Sequence, residues 1–246
     1  MAELDPETLR ITASYQEQTD AVRQRLEDVT RTTWANLPDY NEETIQRWIV
    51  TILAILTGGQ IVTAALTDRY LAAVGTAIAG VTVHPEGIPR AVYDIEAMRG
   101  VPADDVYRRP AQTVWREQKD GKALEVAVAA GLIRALQLVA TDLQLTKTHS
   151  ARYVGDRSAL IVGYRRVLSG GPCSLCSSKN TRFSTHELMP IHTHCRCSMM
   201  PIYARHGDPG PIEVKPVDDR GAAVVHQHGE VGPMLTARGD AFAPPR

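Results

Sequence analysis

Phenylalanine is nearly missing from this 246-residue chain, which has 2 beside 3 tryptophans and 8 tyrosines, 5% aromatic in all. With so few rings to interleave among basic residues, a base-stacking nucleic-acid surface has little to build on. Net charge is nearly missing as well, with 27 Lys and Arg against 28 Asp and Glu. No secretory signal opens the chain, because Met1 to Asp5 contains two acids and no apolar run follows, so a cytoplasmic chain is expected. There is no Gly-x-Ser-x-Gly elbow and no phosphate-cradling glycine loop, so hydrolase and nucleotide-dependent readings lack a motif. Nor is there an internal repeat of solenoid length. What is present removes the opposite extremes. A content of 43% hydrophobic and 22% charged residues rules out a wholly disordered or collagen-like chain, and the length allows one large or two small domains.

The balanced charge is unevenly spread. Residues 1–40 carry net -4, 41–150 net -1, 151–205 net +6 and 206–246 net -2. One short segment thus holds nearly all the positive excess, and it suits phosphates or an acidic partner surface. Arg165, Arg166, Arg182, Arg196 and Arg205 within it read first as a solvated face.

Four segments follow from the patterning. Over 1–40, Asp5-Pro6-Glu7 starts a helix. Ile11, Tyr15, Val22, Leu26 and Val29 give it one narrow apolar stripe, which seeks a partner helix in its own domain or on another subunit. Over 41–154 the spacing predicts a helical domain. Pro38 ends the first helix, Asn41 caps the next ahead of Glu42 and Glu43, and an apolar stretch runs from Ile45 to Ala79 with an expected break at Gly58-Gly59. Within it, Trp48 to Thr67 has the length of a membrane span and no charge, yet its threonines, glycines and Gln60 dilute it below span hydrophobicity, so a buried helix or hairpin is expected. Six glycines and prolines between His84 and Pro110 predict short helices and turns, and a third long helix is expected from Ala123 to about His149. Over 155–204 a small module begins with a short strand pair, Leu160 to Val162 and Tyr164 to Leu168. From Ala204 on, Gly and Pro make up 28% of the residues and no period is visible, so 205–246 is expected to be an extended or disordered arm. The fold class is therefore mainly α with a small zinc-stapled β-containing module (α+β) and an extended C-terminal arm.

The stapling rests on cysteine spacing. All four cysteines fall within 25 positions as Cys173-x-x-Cys176, eighteen residues, then Cys195-x-Cys197, with His192 three before Cys195. Five N or S donors compete for the four positions of one tetrahedral zinc ion. The expected set is Cys173, Cys176, His192 and one of Cys195 or Cys197, for a single structural zinc per chain. In a module with few large apolar residues, metal binding supplies on the order of 10 kcal/mol toward folding. Disulfides or independent thiols are the plainer alternatives, and an expected cytoplasmic setting argues against the first. His194 is not expected to be a ligand.

Catalytic readings fare worse. His186-Glu187 opens like a metalloprotease helix, but the next histidine is His192, six positions on instead of four, with Pro190 between. A deaminase-type site would need a His two before a Glu close upstream of the Cys-x-x-Cys, and His84 with Glu86 sits far off in a proline-rich turn. For a serine protease, Ser150, Ser158 and Ser169 beside His149 or His186 are available, and nothing in the spacing selects among them. No catalytic residue is assigned.

The runs GYRRVLSGGPCSLC (163–176) and LMPIHTHCRCSMMPIY (188–203) resemble the cysteine and histidine core of MuF-like minor head proteins of tailed phages. RRPAQTVW (108–115) and HQHGEVGPMLTARGDAF (226–242) are similar to stretches that flank this core in members from actinobacterial phages, so the resemblance covers roughly residues 85–240. It implies a minor capsid protein of head morphogenesis. Such a protein acts in few copies with portal, scaffold and major capsid protein, inside the virion head and in the host cytoplasm during assembly. It has no membrane partner, and contact with packaged DNA and ejection alongside it are among the implied fates. Relatives are sometimes labelled capsid maturation proteases, which makes that the rival reading. A third is an intracellular zinc module that binds nucleic acid, resting on the +6 segment alone. His194 departs from the family's pattern and leaves the four ligands open among Cys173, Cys176, His192, Cys195 and Cys197.

Overall fold

The computed structural model describes residues 6–168, 175–176, 182–203 and 223–237. The chain is mainly helical, with two small antiparallel sheets. Helices α1 (Pro6–Ala35), α2 (Glu42–Ala79) and α5 (Leu124–Arg157) pack on one another, and α4 (Ala103–Lys119) lies against α5 and α2. A 3-10 turn (Arg90–Val92) and the short α3 (Ile95–Arg99) link α2 to α4.

Local chemistry sets the ends of α2. The Asn41 side chain accepts from Thr44 N, Glu42 and Glu43 occupy the positive first turn, and Gly80 closes the helix with φ of 68°. The glycine pair does not break it. A Cβ at Gly59 would stand 2.2 Å from Leu26 Cδ1, so the missing side chain admits Leu26 of α1. Close packing against α1 outweighs the propensity cost of two glycines. Gly131 does the same for α5, where a Cβ would meet Val114, Trp34 and the Pro110 carbonyl within 3 Å. Pro110 itself lies inside α4, which continues through it to Lys119, a longer helix than the proline count predicts. The third long helix likewise runs eight residues past His149, to Arg157.

The polar helix α1 packs on its own chain, through a stripe set slightly round from the expected one. Its buried positions are Thr8, Thr12, Tyr15, Thr19, Arg23, Leu26, Thr30 and Trp34. Tyr15 stacks on Tyr70 with centroids 4.2 Å apart and shares a hydrogen bond with Thr67 at 2.8 Å, while Thr12 meets the Tyr70 hydroxyl at 3.2 Å. The seam is held by hydroxyl pairs as well as by apolar burial.

Two helices, Glu42–Ala79 and Leu124–Arg157, are long and apolar enough by length and composition to cross a membrane, and the first contains Trp48–Thr67. In this fold both turn polar side chains inward: Gln60, Thr63 and Asp68 from α2, and Asp142, Gln144 and Lys147 from α5 are buried.

Two buried clusters share the helices. One, around Trp34, Trp48, Ile52, Tyr107 and Val139, is purely helical. The other joins Tyr15, Tyr70, Leu71 and Leu145 to both sheets and to the cysteines. The first sheet has the order β2 (Arg182–Phe183), β1 (Ile161–Val167), β3 (Ser198–Tyr203), all antiparallel. The expected strand pair over 160–168 is one strand, β1, with an irregularity between Ile161 and Gly163.

The second sheet corrects the expected arm. Residues 223–237 form a hairpin of β4 (Ala223–His228) and β5 (Gly232–Ala237) that is packed onto the body, while 204–222 and 238–246 lie outside the described residues. Ala223, Val231 and Leu235 enter the core. Ile191 N donates to Pro233 O at 3.0 Å and Leu235 N donates to Ile191 O at 2.6 Å. At the hairpin turn, Glu230 takes both terminal nitrogens of Arg109 at 2.6 and 2.7 Å. Next to it Arg99 pairs with the fully buried Asp142, whose other oxygen accepts from Tyr107 at 2.7 Å. Burial pushes the Asp142 carboxyl up and Arg99 works against that.

Candidate metal centre

Cys176, Cys195 and Cys197 come together at the end of the sheet, all buried, with their three sulfurs within 4.8 Å of one another. The Cys176 and Cys195 sulfurs are 3.9 Å apart. A tetrahedral ion with 2.3 Å metal–sulfur bonds has an S–S edge of about 3.8 Å, whereas a disulfide would need about 2.05 Å. The three are free thiols placed closely enough to hold a metal ion.

His192 stands at the edge of the group. Its Nδ1 lies 2.6 Å from Thr193 O, and because a carbonyl only accepts, that nitrogen carries the proton. Nε2 is left with its lone pair 3.1 Å from Cys176 Sγ. A ring N–H on a backbone carbonyl is the usual support for a metal-ligating histidine. The structure thus brings both Cys195 and Cys197 to Cys176, where one of the two was expected, and puts His192 beside them. Cys173 lies outside the described residues.

His194 faces the other way. Its backbone is left-handed, with φ of 64°, and makes the turn in which Cys195 N donates to His192 O at 3.0 Å. Its Nδ1 accepts from Arg23 Nη2 at 3.2 Å, and burial together with that guanidinium lowers its pKa.

The loop from Pro190 to Cys197 is hung from side chains of the helices. Arg23 Nη1 donates to Cys195 O at 3.2 Å, Gln144 Nε2 to Cys197 O at 2.9 Å, and Lys147 Nζ to Arg196 O at 3.4 Å. Arg166, which alternation along β1 places on the same inward face as Tyr164, donates to Cys176 Sγ at 3.3 Å and to Pro190 O. Hydrogen bonds with Cys176 and Cys197, together with Arg166, hold the Cys195 thiol well below its ordinary range, while the hydrogen bonds with Cys195 and Cys197 push Cys176 up. None of Arg23, Gln144, Lys147 and Arg166 stood out in the sequence. Arg166 read as part of a solvated face, although strand alternation carried the signal that it points inward.

The residues weighed for catalysis are dispersed. The Ser150 hydroxyl is buried with no hydrogen-bond partner, and Ser158 accepts from the backbone of Leu160 and Ile161. His149 is half-buried and pushed down to about 4 by burial. His186 pairs with Asp156 at 2.7 Å on an exposed edge. His84 is exposed in the loop after α2, and Ser169 lies outside the described residues. No protein family, curated protein or solved structure matches the chain.

Proposed function

We propose that the protein is a structural minor component of a phage head, of the MuF-like kind, that joins portal and capsid or scaffold protein during assembly, and that its cysteine centre holds one zinc ion. One observation carries the reading. The described residues of the four stretches in which the sequence resembles that family, 108–115, 163–176, 188–203 and 226–242, meet in space: Arg109 pairs with Glu230, Arg166 contacts Cys176 and Pro190, and Ile191 pairs with Met234. Residues scattered over more than a hundred positions act as one unit, as expected if the resemblance marks a shared module. Zinc suits the donors, since thiolates with an imidazole in tetrahedral spacing favour a soft divalent ion without redox chemistry. In that role the ion ties the loop to the segment that carries Cys176, between β1 and β2, and Arg23, Gln144 and Lys147 orient the loop on the helices.

Mass-spectrometric inventory of purified particles tests the assembly role. The chain should be present in low copy in virions, and deleting its gene should reduce filled heads. Normal heads without it would overturn the reading. Loss of capsid-protein cleavage in His186→Ala particles that still incorporate the protein would favour a capsid maturation protease instead.

A further inference from the structure

Arg166 is 2% exposed. No carboxylate reaches it among the described residues. Nη1 lies 3.3 Å from Cys176 Sγ and 3.8 Å from Cys195 Sγ, Nη2 is on the Pro190 carbonyl, Nε has no hydrogen-bond partner, and the Phe183 ring lies 5.9 Å away. An arginine keeps its charge at any biological pH, and an interior guanidinium needs an anion to offset its lost hydration. Here the available anions are the sulfurs.

A dication held by at least three thiolates carries net negative charge, and Arg166 stands against two of the sulfurs. Lys147, also buried, with its Nζ on Arg196 O, is a second cation beside Cys195 and Cys197. We propose that Arg166 is the built-in counter-ion of the metal centre formed by Cys176, Cys195 and Cys197. This rests on the zinc reading above and goes beyond it in naming a positioning residue.

The test uses the full chain purified under reducing conditions, with metal content, competition against a chromophoric zinc chelator, and the thiolate-to-cobalt charge-transfer band of the cobalt-exchanged protein. Cys197→Ser should lose part of the band's intensity or the metal altogether. Arg166→Gln and Arg166→Lys both shorten or alter the packing, but only the lysine keeps the charge. The glutamine variant should bind zinc at least tenfold more weakly and shift the band, and the lysine variant should recover most of both. Equal affinity and band position in the two Arg166 variants would overturn the proposal. Wild-type protein without any metal would instead overturn the zinc reading beneath it.

Discussion

The two ends of the molecule are held by different means. At the helical end, Ile45, Trp48, Ile49, Ile52, Leu56 and Val114 interdigitate and exclude water, with Asp142 and Arg99 as a single buried ionic knot. At the sheet end the interior holds methionines, tyrosines and thiols, and the central loop is positioned by side chains reaching from α1, α5 and β1 to its carbonyls and sulfurs. Helix packing of the first kind is redundant, because many contacts each contribute a little. The second kind is directional, because each hydrogen bond needs its donor aimed at its acceptor. The helical end should therefore tolerate loss of the sheet end better than the reverse.

Removal of a ligand should show this most sharply. Cys195→Ser or Cys176→Ser should abolish metal binding and, with a contribution on the order of 10 kcal/mol gone, leave 161–203 and the hairpin exchanging freely while α2, α4 and α5 stay protected. Hydrogen exchange of purified variants checks it, and a protected sheet end without metal would break the contrast. Next comes the knot. Asp142→Ala leaves buried Arg99 with only the longer 3.6 Å contact to Glu230 and takes the acceptor from the Tyr107 hydroxyl, so thermal unfolding should report a loss of about 3 kcal/mol with metal content unchanged below the transition.

Glu230→Gln should have a smaller, local effect of about 1–3 kcal/mol, read as faster exchange over 223–237. Arg109, through its hydrogen bonds first, holds the Glu230 carboxyl below the ordinary glutamate value, which is about 4.3 in an unfolded chain. A lowered folded value means that the stabilisation is complete above the unfolded value and disappears as pH falls through the folded one. Hairpin protection in the wild type should therefore drop below about pH 4, and the Gln variant should lack that component. The smallest effect contrasts two neighbours on α2. A Cβ at Gly58 meets nothing within 4 Å, so Gly58→Ala should stabilise by up to about 1 kcal/mol, while Gly59→Ala should destabilise by displacing Leu26. Equal melting temperatures for the pair would show that α1 yields freely at that contact.

Much of the helical end was legible because its signals are local. Asn41 ahead of two glutamates and the apolar period after Ala123 each lie within a few turns of the residues they organise. What escaped depends on partners distant in sequence. Gly58-Gly59 looks like a break until Leu26 is known to fill the gap. The hairpin was hidden because its inward residues are few and its main fastening pairs Glu230 with Arg109, 121 positions away. Arg166 was missed because the anion it faces is a set of sulfurs on another strand and loop. A strand's alternation tells which way a side chain points, but not what awaits it there.

The hairpin's place in the chain has a kinetic meaning. Met234 pairs with Ile191, immediately before His192, yet a ribosome makes it 43 residues later. Closure between points so far apart is slow compared with helix formation. Until residues 233–235 are made, Ile191 therefore lacks the strand partners for its N–H and its carbonyl, so the edge beside His192 is completed only when the chain is nearly finished.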